Sequence, residues 1–89
     1  MKSNLFFEGP LDGFMAVELN DSDSTYTYVQ YVNMFGDWVI SREDKSNGHY
    51  RYCFSGNNTS YTIADAWAAR ASLTYQYPSD AFSSFKNQG

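Results

Sequence analysis

The feature that most constrains this chain is an Asn47-Gly48 pair set between two runs of strand composition. Asn and Gly tolerate the positive φ that tight hairpin turns demand. Before the pair stands Trp38-Val39-Ile40-Ser41-Arg42-Glu43. After it comes His49-Tyr50-Arg51-Tyr52-Cys53-Phe54-Ser55. Period two places Tyr50, Tyr52 and Phe54 on one face of the second run and His49, Arg51 and Cys53 on the other. A β-hairpin follows, with residues 44–48 as its connection.

A lone hairpin is marginal in water, so further elements must cover it. Residues 14–19 read as a strand, and Asn20-Asp21-Ser22-Asp23-Ser24 as a polar turn. Residues 25–33 have strong strand composition, with Tyr26, Tyr28, Gln30 and Val32 on one face and Thr25, Thr27, Val29 and Tyr31 on the other. Both faces carry bulk, so both are expected to be at least half covered. Gly36-Asp37 marks a break before the hairpin, and Gly56-Asn57-Asn58 ends the sheet segment. Thr62-Ile63-Ala64-Asp65 fits a helix-start box, in which the threonine oxygen accepts an unpaired first-turn N–H. The alanine-rich run 63–71 favours a helix, and Ile63 and Trp67, four apart, are expected to pack on the sheet. Leu73-Thr74-Tyr75-Gln76-Tyr77 predicts a short fifth strand ended by Pro78. The spacing therefore predicts an α+β fold: an antiparallel, twisted sheet of four to five strands with one short helix, about 62–71, packed on it. Residues 1–13 read as an N-terminal arm, 14–78 as a single β-rich domain and 79–89 as a C-terminal tail.

Composition narrows the function. Eighty-nine residues make one small domain. The net charge of −4 argues against phosphate neutralisation, because the six basic residues, Lys2, Arg42, Lys45, Arg51, Arg70 and Lys86, are scattered along the chain. No nucleic-acid partner is expected. No apolar stretch approaches the ~18 residues of a membrane span, and the N-terminus lacks the apolar run of a signal peptide. Folding in a reducing cytoplasm is expected, with Cys53, the one cysteine, as a small buried hydrophobe.

Catalytic chemistry has few candidates. The one histidine, His49, lies ~13 Å from Cys53 at strand rise, too far for a nucleophile–base pair. Neither residue has the neighbours of a zinc site. The Asn20–Ser24 cluster resembles the opening of a calcium loop but lacks its sixth-position glycine and closing glutamate. No carboxylate pair suits glycoside hydrolysis, and all six glycines stand apart, so no phosphate loop is present. No enzyme activity, cofactor or metal is expected. The real excess is aromatic: eight Tyr, seven Phe and two Trp, 19% of the chain. Such side chains bury large areas at low entropic cost and suit interfaces as well as cores. A domain this small cannot hide them all.

Over residues 36–75 the chain resembles small proteins encoded by tailed bacteriophages. The resemblance is carried by Trp38-Val39-Ile40-Ser41-Arg42, by Tyr50-Arg51-Tyr52-Cys53-Phe54-Ser55-Gly56-Asn57, and by Trp67-Ala68-Ala69-Arg70-Ala71-Ser72-Leu73-Thr74-Tyr75. Those proteins read as a tryptophan-led strand, a hairpin, a glycine-asparagine loop and a short helix giving Trp-x-x-Arg-Ala-x-Leu-x-Tyr. They are uncharacterised or virion-associated and have no catalytic residues to carry over. This chain departs from the pattern in its short Met34-Phe35-Gly36-Asp37 link, its Leu5-Phe6-Phe7 segment and its Phe82/Phe85 tail.

The resemblance implies a non-enzymatic virion subunit, decorating a capsid or associated with the head-tail junction or the tail. Its partners would be other virion proteins, with a homo-oligomer or symmetric array expected. The alternative is a phage-encoded inhibitor of a host protein, of host-defence or anti-CRISPR type. A second alternative is a carbohydrate-binding module using exposed Tyr and Trp. Leu5, Phe6, Phe7, Phe82, Phe85, Tyr26 and Tyr28 are the expected partner-binding residues. Trp38, Trp67, Arg70 and Tyr75 are the expected structural ones, with Trp67 anchoring the helix and Arg70 reaching the helix end or a nearby carboxylate.

Overall fold

A computed structural model describes residues 13–57 and 60–77. Four strands form one antiparallel sheet in chain order: β1 (Met15–Asn20), β2 (Tyr26–Val32), β3 (Trp38–Asp44) and β4 (Tyr50–Phe54). A 3₁₀ turn, Ser55–Asn57, leaves the sheet, and helix α1 (Ile63–Ala68) and a second 3₁₀ turn (Arg70–Ser72) complete the described elements.

The predicted hairpin is β3 and β4, with Arg42 opposite Arg51 and Ile40 opposite Cys53. Its turn closes with Asp44 N–H donating to the His49 carbonyl at 2.9 Å and Gly48 N–H donating to the Asp44 carbonyl at 2.7 Å. Only Gly48 takes positive φ, +76°; Asn47 instead uses its side-chain oxygen to accept the His49 N–H at 2.9 Å.

Alternation along β3 buries both faces of the sheet, because successive side chains point opposite ways. Val39 packs with Phe14 and Phe54 on one face, flanked by Tyr31 and Tyr52. Trp38 and Ile40 pack on the other with Tyr28, Cys53, Ala66 and Tyr75. The second cluster lies under α1. Gln30, fully buried, donates from Nε2 to the Ile63 carbonyl at 2.9 Å and ties β2 to the start of the helix.

Three expectations about this covering layer are corrected. The helix over 62–71 is shorter. Thr62 caps it as expected, its Oγ1 accepting the Asp65 N–H at 3.1 Å, but α-helical geometry stops at Ala68 and the chain tightens into Arg70–Ser72. The residue facing the sheet is Ala66, fully buried, while Ile63 is exposed and Trp67 is half-buried at the margin. The fifth strand at 73–77 is a single bridge. Tyr52 and Gln76 exchange both backbone hydrogen bonds at 2.8 Å, and no further pair forms among the described residues. The Tyr75 hydroxyl donates to the Arg70 carbonyl at 2.8 Å and ties this segment to the 3₁₀ turn.

Burial also sets an alkaline limit on the fold. It pushes the Cys53 thiol up to about 11 from 9.0. It raises Tyr75, Tyr52, Tyr31, Tyr28 and Tyr50 above the ordinary phenol value of 10.0. A raised folded-state value leaves its stabilisation intact below the unfolded value and removes it as pH climbs toward the folded one. The Cys53 contribution is therefore full below about pH 9 and fades toward about pH 11, and the tyrosine contributions fade above about pH 10. The urea midpoint is expected to be level between about pH 7 and 8.5 and to fall clearly by about pH 10.5. A midpoint that stayed level to that pH would show these side chains to be open to solvent.

Candidate functional site

The two ends of the sheet differ in chemistry. At one end, the β2–β3 connection is built on Asn33. Its Oδ1 accepts the N–H groups of Phe35 (3.0 Å) and Asp37 (2.9 Å), and its own N–H donates to the Asp37 carbonyl at 3.1 Å. Gly36, at φ +89°, completes the turn by donating to the Asn33 carbonyl at 3.2 Å. This scaffold holds Met34 and Phe35 out in solvent, 87% and 82% exposed. Strand register brings β1 to the same end, with Met15 opposite Val32. Met15 and Val17 are exposed too, and farther along β1 so is Leu19. The outer edge of β1 has no partner strand among the described residues, whereas Gln76 meets the outer edge of β4.

At the other end, folding gathers three of the basic residues that are scattered in the sequence. Arg42 and Arg51 stand opposite each other on β3 and β4. The Arg42 guanidinium lies 4.5 Å from the Tyr26 ring centre and 4.6 Å from that of Tyr75. Arg51 sits 4.2 Å from the Tyr77 ring centre and donates from Nη2 to the Tyr77 hydroxyl at 2.8 Å. Arg70 lies 4.3 Å from the Trp67 ring and 5.8 Å from the Tyr28 ring, and donates from Nη1 to the Trp67 carbonyl at 2.8 Å. Cation–π attraction of this kind contributes about 0.5–2 kcal/mol per contact and orients the guanidinium plane.

Between these side chains opens a pocket of about 130 Å³, lined by Tyr26, Arg42, Asp44, Asn47, His49 and Arg51. Asp44 is committed to Ser46, accepting from its hydroxyl at 2.7 Å and its N–H at 2.9 Å. Those two bonds, with His49 and Arg42 nearby, hold its carboxyl below the usual carboxylate value.

The site residues expected from sequence separate. Tyr28, expected at a partner surface, is instead 4% exposed and packs in the core beside Ala66 and Tyr75. Tyr26, two residues earlier on the same face, is half-buried and lines the pocket. Trp38 and Tyr75 are core, Trp67 packs at its margin, and Arg70 holds the helix end. Leu5, Phe6, Phe7, Phe82 and Phe85 lie outside the described residues. His49 is exposed and Cys53 buried. In the acidic turn, Asp23 Oδ1 accepts the N–H groups of Thr25 (2.7 Å) and Tyr26 (3.0 Å), bonds that keep its carboxyl below the usual value. Lys45 Nζ donates to the Asp21 and Asp23 carbonyls and ties the acidic turn to the β3–β4 connection.

Sequence reasoning missed the Met34–Phe35 tip and the paired arginines. The tip carried a signal, two large apolar residues beside a glycine turn. The arginine pair becomes visible only once the hairpin register is known. Among the described residues, no group of three or more His, Cys, Asp or Glu side chains is placed to hold a metal ion, and no helix is long and apolar enough to cross a membrane. Comparison of the chain with protein-family models, curated proteins and solved structures finds no match.

Proposed function

We propose that this chain is a non-enzymatic, protein-binding subunit and, as the resemblance over residues 36–75 implies, a small component of a tailed-bacteriophage particle. It docks other virion proteins in a symmetric array through the apolar end of its sheet. The observation that carries the binding role is the Met34–Phe35 tip. Two large apolar side chains stand in water on a loop that Asn33 has already ordered. Burying such a pair on a partner gains about 1.5–3 kcal/mol per side chain, and the ordered loop has little entropy left to lose. The apolar residues of β1 extend the same end, and its outer edge, which no described strand pairs, offers backbone hydrogen bonds to a partner.

Quantitative mass spectrometry of density-purified particles tests the assignment. Many copies per particle are expected, hundreds for a head-surface subunit and roughly six or twelve for a neck or tail subunit. The double variant Met34→Ser/Phe35→Ser should keep the wild-type thermal melt, because both residues are exposed, and its incorporation should fall about tenfold or more. Absence of the chain from clean particles, with abundant protein in infected cells, would overturn the virion reading in favour of a host-directed inhibitor.

A further inference from the structure

We propose that the pocket at the arginine end is a carboxylate site that receives an acidic side chain of a partner protein, a reading that rests on the protein-binding role above. The first argument is electrostatic. Arg42 and Arg51 face each other across two paired strands, an arrangement that like charges make unfavourable. Among the described residues, the Arg42 guanidinium makes no hydrogen bond or ion pair; it lies over the Tyr26 and Tyr75 rings. Those rings hold a planar five-donor fork in place, and its N–H groups have no acceptor among the described residues. A bound anion relieves the repulsion and fills those donors together.

The second argument concerns which anion. Asp44 lines the same pocket, and its lowered value keeps it ionised. Two guanidiniums and one fixed carboxylate leave room for a single added negative charge, so a monoanionic carboxylate suits the site better than a doubly charged phosphate. Asn47 is set as a further donor. Its Oδ1 is occupied by the His49 N–H, which leaves the Nδ2 hydrogens to donate. The pocket, about 130 Å³, admits a carboxylate and the methylene that carries it.

The test is an NMR titration of the full ¹⁵N-labelled chain near neutral pH, following the Nε–H resonances of Arg42 and Arg51. The probes are sodium acetate, a glutamate blocked at both backbone ends, inorganic phosphate, and sodium chloride at matched ionic strength. Acetate and the blocked glutamate are expected to give saturable millimolar shifts, with phosphate weaker and chloride featureless. Arg51→Gln should weaken both carboxylates roughly tenfold while the sheet resonances stay in place. Non-saturating shifts matching chloride, or tighter binding of phosphate, would overturn the carboxylate assignment. Saturation by acetate with exclusion of the blocked glutamate would overturn the protein side chain as its source. The titration needs no partner, so its failure leaves the particle count standing, and an empty particle count leaves the titration standing.

Discussion

Trp38→Ala is expected to cost this protein about 4–6 kcal/mol of stability, a large share of all it has. Trp38 is 1% exposed and joins three segments. Its ring fills the layer between the sheet and α1, its backbone N–H donates to Ser55 Oγ at 3.1 Å, and its indole Nε1 donates to the Tyr61 carbonyl at 3.3 Å. Truncation removes the transfer energy of a whole indole and leaves a cavity, a loss of about 3–5 kcal/mol. It also strands the Tyr61 carbonyl, which adds about 1 kcal/mol or more. A domain of this size has roughly 4–13 kcal/mol in total. Far-ultraviolet circular dichroism and a urea melt measure the outcome. Trp67→Ala is the comparison: that side chain packs from the margin and is half-buried, so its loss should be about half as large. Equal effects at the two tryptophans would contradict the packing described here.

The second large effect is expected at a small residue. Ala66→Asp places an ionised carboxylate where α1 meets Tyr28, Ile40, Cys53 and Tyr75. Ala66 is fully buried, and desolvating a carboxylate at such a position costs several kcal/mol. The helix should detach or the whole domain unfold, a loss of about 3 kcal/mol or more in a urea melt. Ala64→Asp is the matched control. It lies two residues earlier on the exposed side of the helix, near the favourable positive end, and should change stability by less than about 0.5 kcal/mol. If both variants melted alike, Ala66 would not be the point of docking.

These variants also show what was legible beforehand. The β3–β4 hairpin could be read because alternation and a turn pair pointed the same way, although the connection lies at 45–49, one residue later than the expected 44–48. The start of α1 could be read because the Thr62–Asp65 cap is local. Its end could not: Ala68, Ala69 and Ala71 share one propensity, so nothing local marks where α-helical geometry gives way to the 3₁₀ turn. Tyr26 and Tyr28 looked equivalent because period two puts them on one face. What separates them is the layer laid over that face, which covers Tyr28 and leaves Tyr26 at the pocket. The arginine pair was hidden for a related reason. Opposing Arg42 to Arg51 needs the turn length, and residues 45–49 close by hydrogen bonds that Asn47-Gly48 alone does not specify.

The connections between strands bear on how quickly the chain reaches this state. Residues 21–25, 33–37 and 45–49 each span one gap of the meander, so every sheet pairing joins neighbours along the chain. Closing so short a segment costs little entropy, and topologies dominated by near-neighbour pairing fold fast for their size. The β2–β3 and β3–β4 gaps carry their own nuclei, the Asn33 and Asp44 hydrogen bonds, which form without distant help. The docking of α1, the Tyr52–Gln76 bridge and the packing of Phe14 with Phe54 reach across longer stretches. The sheet should therefore assemble first, in one fast kinetic phase, and the helical layer should close over it last. A nascent chain would then hold three finished pairings as soon as Phe54 had cleared the ribosome.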